Sequence, residues 1–172
     1  CRFKYQKSWY LLFKIWKGEK ILSSIVFESS MNDADISMHA GFFSNDDIGS
    51  VFTWDQVSEV HRVRNGIYHR NGRLISLLTD FGKINPCYPD FHGDSRDVIH
   101  YTGSGRRGDQ KLDAANRSLL DAVDTEIVVP LFNKLRPGRW EYLGNWRITN
   151  GAYVFDESQS RMLWKFTLER KP

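Results

Sequence analysis

Apolar and polar positions alternate over most of this chain, and only two stretches follow helical spacing. Trp9, Leu12, Phe13 and Trp16 predict an amphipathic helix, and the apolar run Ile21 to Phe27 suits a strand. Residues 28–47 are polar and acidic and read as a loop. Val51 to Val63, rich in β-branched and aromatic residues, predicts a strand. Asn65-Gly66 and Asn71-Gly72 are turn signals around a short strand, Ile67 to His69, and Leu74 to Leu78 reads as another. Gly82, Pro86, Pro89 and Gly93 break residues 80–96 into a long loop, of the kind that often carries function. Val98 to Tyr101 reads as a strand. Asp109 then caps a predicted helix running to about Val123, with Leu112, Ala115, Leu119 and Val123 on one face. Ile127 to Phe132, Trp140 to Ile148, Tyr153 to Phe155 and Met162 to Leu168 are predicted strands, with a turn at Arg136-Pro137-Gly138. Many strands with one or two helices, in no βαβ order, predict an α+β domain with a curled, barrel-like sheet.

The chain's 172 residues suit one domain with a real core. Aromatic content is 14%, enough to fill that core or to supply stacking faces. The net charge of +3 is modest but unevenly spread. Residues 1–20 hold six Lys or Arg against one Glu, residues 28–59 hold seven acids and no Lys or Arg, and Arg62, Arg64, Arg70 and Arg73 follow. Basic clusters of this kind suit a polyanion, although a solvated surface is the commoner outcome for any one of them. Cys1 and Cys87 are the only cysteines, which gives no zinc spacing and favours a reducing setting. No apolar run has the length of a membrane span, and no signal-peptide pattern is read. No cofactor, metal or membrane partner is expected.

The chemistry concentrates in Tyr101-Thr102-Gly103-Ser104-Gly105-Arg106-Arg107-Gly108-Asp109-Gln110-Lys111-Leu112. Strand, arginine-bearing glycine loop and helix in that order would aim backbone N–H groups, positive charge and a helix N-terminus at one anion. Gly103, Gly105 and Gly108 spell G-x-G-x-x-G, the dinucleotide fingerprint, but the acid that should bind ribose is missing from the end of the next strand, which closes on Phe132-Asn133. Pro89-Asp90 with Asp109-Gln110-Lys111 mimics the two-carboxylate-and-lysine core of metal-dependent nucleases, yet here the D-x-K opens a helical stretch instead of lying on a strand.

A third reading absorbs more residues. Tyr101-Thr102-Gly103-Ser104-Gly105, Asp109-Gln110-Lys111-Leu112 and Asn116-Arg117-Ser118-Leu119 resemble the signature of the SRA (or YDG) domain. Ile48 to Phe52, Val60-His61-Arg62 and Gly66-Ile67 resemble that family's opening segment. Glu141 to Ile148 and Trp164 to Arg170 resemble two of its later strands. The ordered series covers about residues 42–170, so residues 42–172 read as an SRA/YDG-like domain and residues 1–41 as an unassigned N-terminal extension.

The resemblance implies a PUA-like fold: a twisted, barrel-like β-sheet with a few flanking helices. It implies a module that binds double-stranded DNA containing 5-methylcytosine or a related base, flips that base into a pocket, and does no covalent chemistry. Unstacking costs a few kcal/mol, recovered by stacking and by hydrogen bonds to the Watson–Crick edge. By the same resemblance Tyr88 and Tyr101 sandwich the base, Asp90 accepts from the cytosine amino group with Asp94 as rival, and Thr102 helps read it. Arg64, Gly103, Ser104, Gly105, Arg106 and Arg107 face phosphates or groove. Only Arg106-Arg107-Gly108 separates "YTGSG" from "DQKL", where readers of hemimethylated CpG carry a long basic finger, so relaxed sequence context is expected. Two alternatives stand beside this one: the recognition part of a modification-dependent restriction nuclease, and an RNA-binding PUA-like relative. The resemblance implies the nucleus for a eukaryotic protein, the favoured case, or the cytoplasm for a prokaryotic one, and it allows further domains of a larger protein as partners.

Overall fold

A computed structural model describes residues 43–171. The helix expected at Trp9 to Trp16 and the strand at Ile21 to Phe27 lie outside the described residues. After a 3-10 turn at Asn45–Asp47 come β1 (Val51–Phe52), α1 (Trp54–Ser58), β2 (Ile67–Arg70), β3 (Arg73–Thr79), β4 (Phe91–His92), β5 (Val98–Thr102), α2 (Ala114–Ala122), β6 (Val128–Arg136), β7 (Arg139–Asp156) and β8 (Arg161–Lys171). The strands form one sheet in the order β2-β3-β6-β7-β8-β5-β4, with β1 added alongside β7. All pairings are antiparallel except β3 with β6, where Leu77 lies opposite Leu131.

β7 organises the sheet. Trp140, Tyr142, Trp146 and Ile148 are buried at every second position, the period that turns one strand face to a core. Its pairing with β6 slips between Pro130 and Phe132, and its pairing with β8 slips between Ile148 and Asn150. Such irregularities increase local twist, and a strand of eighteen residues needs it to curl. The main core packs α2, through Leu119 and Ala122, over Leu77, Ile99, Leu131, Trp146, Ile148, Phe166 and Leu168. A second cluster joins Phe43, Val57, Val60, Leu78, Phe132, Trp140 and Tyr142. Most strands, and the long loop broken only by the two residues of β4, match the sequence expectation.

The strands expected at Trp140 to Ile148 and Tyr153 to Phe155 are one continuous β7, and two further elements differ from expectation. Val51 to Val63 is not one strand: β1 ends at Phe52, and Thr53 starts α1 by accepting from the Gln56 amide while the Gln56 side chain accepts from the Thr53 amide. That reciprocal T-x-x-Q cap outweighs the β-branched composition, and the short helix puts Val57 and Val60 into the second cluster. The helix after the glycine loop begins at Ala114, not at Asp109. Asp109 instead accepts from the Met162 amide, and the Gln110 amide donates to the Met162 carbonyl, so these residues extend the edge of β8. Asp113 caps α2 by accepting from the Asn116 amide at 2.8 Å.

Candidate base-binding cavity

One cavity of about 520 Å³ opens between the 62–66 segment, the 80–90 loop and the glycine loop. Its buried wall includes Ile67, Leu78, Thr79, Asp90, Tyr101, Thr102, Gly103 and Trp140, and Arg64 and Arg106 stand exposed along its lining. Lys134 also lines it, part-buried. Volume and lining suit a small ligand entering past a positively charged rim.

Tyr101 is held rather than loosely offered. Its position on β5 is fixed by pairing with Phe166, and it is 3% exposed. Its hydroxyl is shared between the carbonyls of Gly66 and Leu78, both at 3.0 Å. Burial, with Asp90, Tyr88 and Asp80 nearby, holds the phenol well above its ordinary pKa, so it is a permanent donor. Gly66 permits this contact, because a Cβ there would lie 2.9 Å from the Tyr101 hydroxyl.

Asp90 sits at the end of the 80–90 loop, 7% exposed. Oδ1 accepts from the Thr102 amide and Oδ2 from the Thr79 hydroxyl, each at 2.7 Å. Burial pushes its carboxyl up to about 7, against the pull of the Thr79 hydroxyl, the Thr102 amide and hydroxyl, and the Lys165 charge. Shifted carboxyls of this kind are enriched at functional sites. Both oxygens keep lone pairs for a further donor. Asp80 anchors the same loop by accepting from the Gly82 amide and from the backbone and side chain of Asn85. Tyr88 lines the cavity in a part-buried position, and burial, its largest influence, raises its pKa. The structure thus brings Tyr88, Asp90, Tyr101 and Thr102 to one cavity. The rival Asp94 is exposed and outside it.

The glycine loop is built from within. Gln110 donates to the Gly103 and Gly105 carbonyls and accepts from the Trp164 amide. Asn116 accepts from the Ser104 amide and donates to the carbonyls of Ser104 and Lys111. Arg161, 8% exposed, donates to the carbonyls of Gly105, Gly108 and Cys87, tying the glycine loop to the 80–90 loop. A Cβ on Gly103 would collide with Asn116 and Trp164, and Gly105 has φ +123. These bonds correct one expectation: the Asp113 carboxylate occupies the N-terminus of α2, which is therefore not held open for an anion. Gly103, Ser104 and Arg106 line the cavity, while Gly105, part-buried, and Arg107, exposed, lie outside its lining.

The short segment carrying Arg64 is also braced. His61 is fully buried, its Nε2 bonded to the Asn65 carbonyl at 2.7 Å and its Nδ1 to the Ser76 hydroxyl at 2.8 Å. A carbonyl only accepts, so Nε2 carries the proton and Nδ1 accepts. Burial lowers this ring to about 4, which keeps it neutral. Arg64 lies over the Trp54 ring at 5.4 Å, and Lys134 over Trp140 at 5.5 Å. Two rim cations are thereby poised on a tryptophan pair, a favourable electrostatic seat.

The family model described as "ScoMcrA-like, SRA domain" matches residues 55–169. The chain belongs to the SRA-domain family. No curated protein matches it significantly. Among solved structures this SRA domain is similar to a SUVH5 SRA–methylated CHH DNA complex, with TM-score 0.59 and 23% identity over 73% of this chain and 89% of that one. It is similar to SUVH5 SRA bound to fully hydroxymethylated CG DNA, with TM-score 0.59 and 19% identity over the same shares. It also matches Arabidopsis thaliana SUVH6 in complex with SAM, with TM-score 0.55 and 21% identity over 73% of this chain and 26% of that one. At these identities the likeness establishes a shared PUA-like fold.

Sequence reasoning missed several residues that shape this SRA site. Thr79, Arg161 and Lys134 lay outside the quoted motifs, and Lys165 lay inside the Trp164 to Arg170 segment with no role assigned. Gln110, Asn116 and His61 lay inside the quoted motifs without a role, and their burial supplies it: each satisfies loop backbone that would otherwise be orphaned.

Proposed function

We propose that this SRA domain reads duplex DNA containing 5-methylcytosine or a related modified cytosine, with the base turned out of the helix into the cavity. The observation that carries the reading is the convergence of the buried Asp90 carboxyl, the Tyr101 ring and the Thr102 backbone in a space whose lining holds Arg64, Arg106 and Lys134. Asp90 accepts from the cytosine N4 amino group, and Tyr88 and Tyr101 flank the base. Arg64 and Arg106 meet the phosphates or groove, with exposed Arg107 beside them, and the Gly103–Gly105 backbone shapes the approach. Named relatives of the same fold are SRA domains complexed with methylated and hydroxymethylated DNA, which supports the substrate class.

The module does no covalent chemistry in this reading. With only Arg106-Arg107-Gly108 in the crossing loop, it tolerates varied sequence around the modified base. The same recognition head attached to a nuclease is the second reading, and the ScoMcrA-like description of the family fits it.

Fluorescence anisotropy with one duplex, unmodified or carrying 5-methylcytosine, tests the proposal. The modified duplex should bind more tightly, and Asp90→Ala should remove that difference. Equal affinity of the intact protein for both duplexes would overturn it. Incubating the modified duplex with Mg²⁺ and looking for strand cleavage tests the second reading.

A further inference from the structure

Behind the base-reading carboxyl lies a relay that reaches across three strands. Thr102 on β5 is the direct cross-strand neighbour of Lys165 on β8, and Ala152 on β7 pairs with Lys165 from the other side. Lys165 Nζ donates to the Thr102 hydroxyl at 3.0 Å and lies 3.3 Å from Asp156 Oδ2. The Thr102 amide then donates to Asp90. The order is Asp156, Lys165, Thr102, Asp90 and Thr79, with charged groups alternating in sign.

We propose that Lys165 is a positioning residue for base reading: acting through Thr102, it fixes the orientation and charge of the Asp90 carboxyl. This inference rests on the proposed role of Asp90.

Two observations set Lys165 apart from an ordinary surface ion pair. Its side chain is only 19% exposed and that of Asp156 15%, so the pair is better held than a fully exposed one. Asp156 is held below the usual carboxylate range by the Ser158 hydroxyl, then by the Gln159 amide and Lys165, so it remains a charged anchor. With the ammonium tied to Asp156 and donating to the Thr102 oxygen, the Thr102 hydroxyl hydrogen is turned away from Lys165 and free for the Asp90 side. Thr79 and Thr102 bond Asp90 directly; Asp80, Tyr88 and Tyr101 share its cavity with His69, Arg64, Arg106 and Lys134, and Lys165 acts on it from β8. Lys165 is the cation among those that act on it. It therefore favours the ionised carboxylate, the stronger acceptor for an amino group.

The test uses the whole chain and two readouts. The first is the Asp90 carboxyl resonance followed by NMR against pH without DNA. The second is the ratio of affinities for 5-methylcytosine and unmodified duplex over the same range. Lys165→Met should move the Asp90 midpoint up by roughly one unit. It should also lower the modification preference near pH 7 about fivefold, the loss of ionised fraction that such a shift implies. Lys165→Arg should keep both near the wild-type values. A merely structural Lys165 would change thermal stability while leaving the midpoint in place. An unmoved Asp90 resonance in Lys165→Met, with preference intact, overturns this inference alone. A wild-type protein with no preference at any pH overturns the base-reading role and this inference with it.

Discussion

The Thr102 amide donates to Asp90 Oδ1 at 2.7 Å, joining a residue of β5 to the end of a loop that departs from β3. That bond links the central acid of the cavity to the sheet. It also makes the chemistry of Asp90 inseparable from the stability of the domain, because the carboxyl is buried and raised to about 7.

The first prediction concerns pH and stability, where Asp90 and His61 oppose each other. Asp90 is raised from 3.8 to about 7, so between these values the folded state holds a proton that the unfolded state lacks. Its contribution is fully present below pH 3.8 and is lost as pH rises through 7. His61 is lowered from 6.5 to about 4, so here the unfolded state holds the extra proton. Its contribution is present above pH 6.5 and is lost as pH falls through 4. The two slopes largely cancel between about pH 4 and 6.5. Thermal melts of Asp90→Asn should show stability rising with pH across that window, and those of His61→Gln should show it falling.

Asp90→Asn should also melt higher than wild type above pH 7, by the equivalent of a few kcal/mol, because it removes a buried charge. The same variant should lose its preference for modified duplex. A gain in stability that accompanies a loss of recognition is the signature of a site selected for binding.

Rim cations should behave differently from Asp90. Arg106→Ala and Arg64→Ala should weaken modified and unmodified duplex about equally, and each should flatten the dependence of log affinity on log salt by roughly one. Anisotropy titrations at several salt concentrations check this.

Asn116→Ala should cost about 1–3 kcal/mol of stability, since the buried Asn116 side chain holds the part-buried Ser104 amide and the carbonyls of Ser104 and Lys111. Urea unfolding measures the loss. Binding should fall with it, because the backbone at Ser104 and Lys111 loses its brace.

Gly66→Ala places a methyl group 2.9 Å from the Tyr101 hydroxyl and 3.3 Å from the Leu78 carbonyl. Either the hydroxyl or the 62–66 segment must move. The expected result is weaker DNA binding with only a modest loss of melting temperature.

Much of the fold was legible because β strands with one buried face announce themselves by period two, as Trp140 to Ile148 does. Val51 to Val63 misled because composition spoke for strand while a four-residue cap, Thr53 to Gln56, spoke for helix. The helix start was misplaced because Asp109 and Asp113 are equally good caps in isolation, and only β8, distant in sequence, decides between them. The cavity residues Tyr88, Asp90, Tyr101 and Thr102 were reachable through family-like motifs. The roles of Arg161 and of Lys165, which lies within a quoted segment, were not, because they depend on contacts between distant elements that local spacing does not encode.

The guanidinium of Arg161 grips carbonyls from two loops at once, Cys87 on one side and Gly105 with Gly108 on the other. Neither loop can be exchanged alone without leaving that hub with dangling donors. Redesign of base preference in this scaffold should therefore transplant both loops together with the strand end that carries the arginine, treating the three as a single cassette.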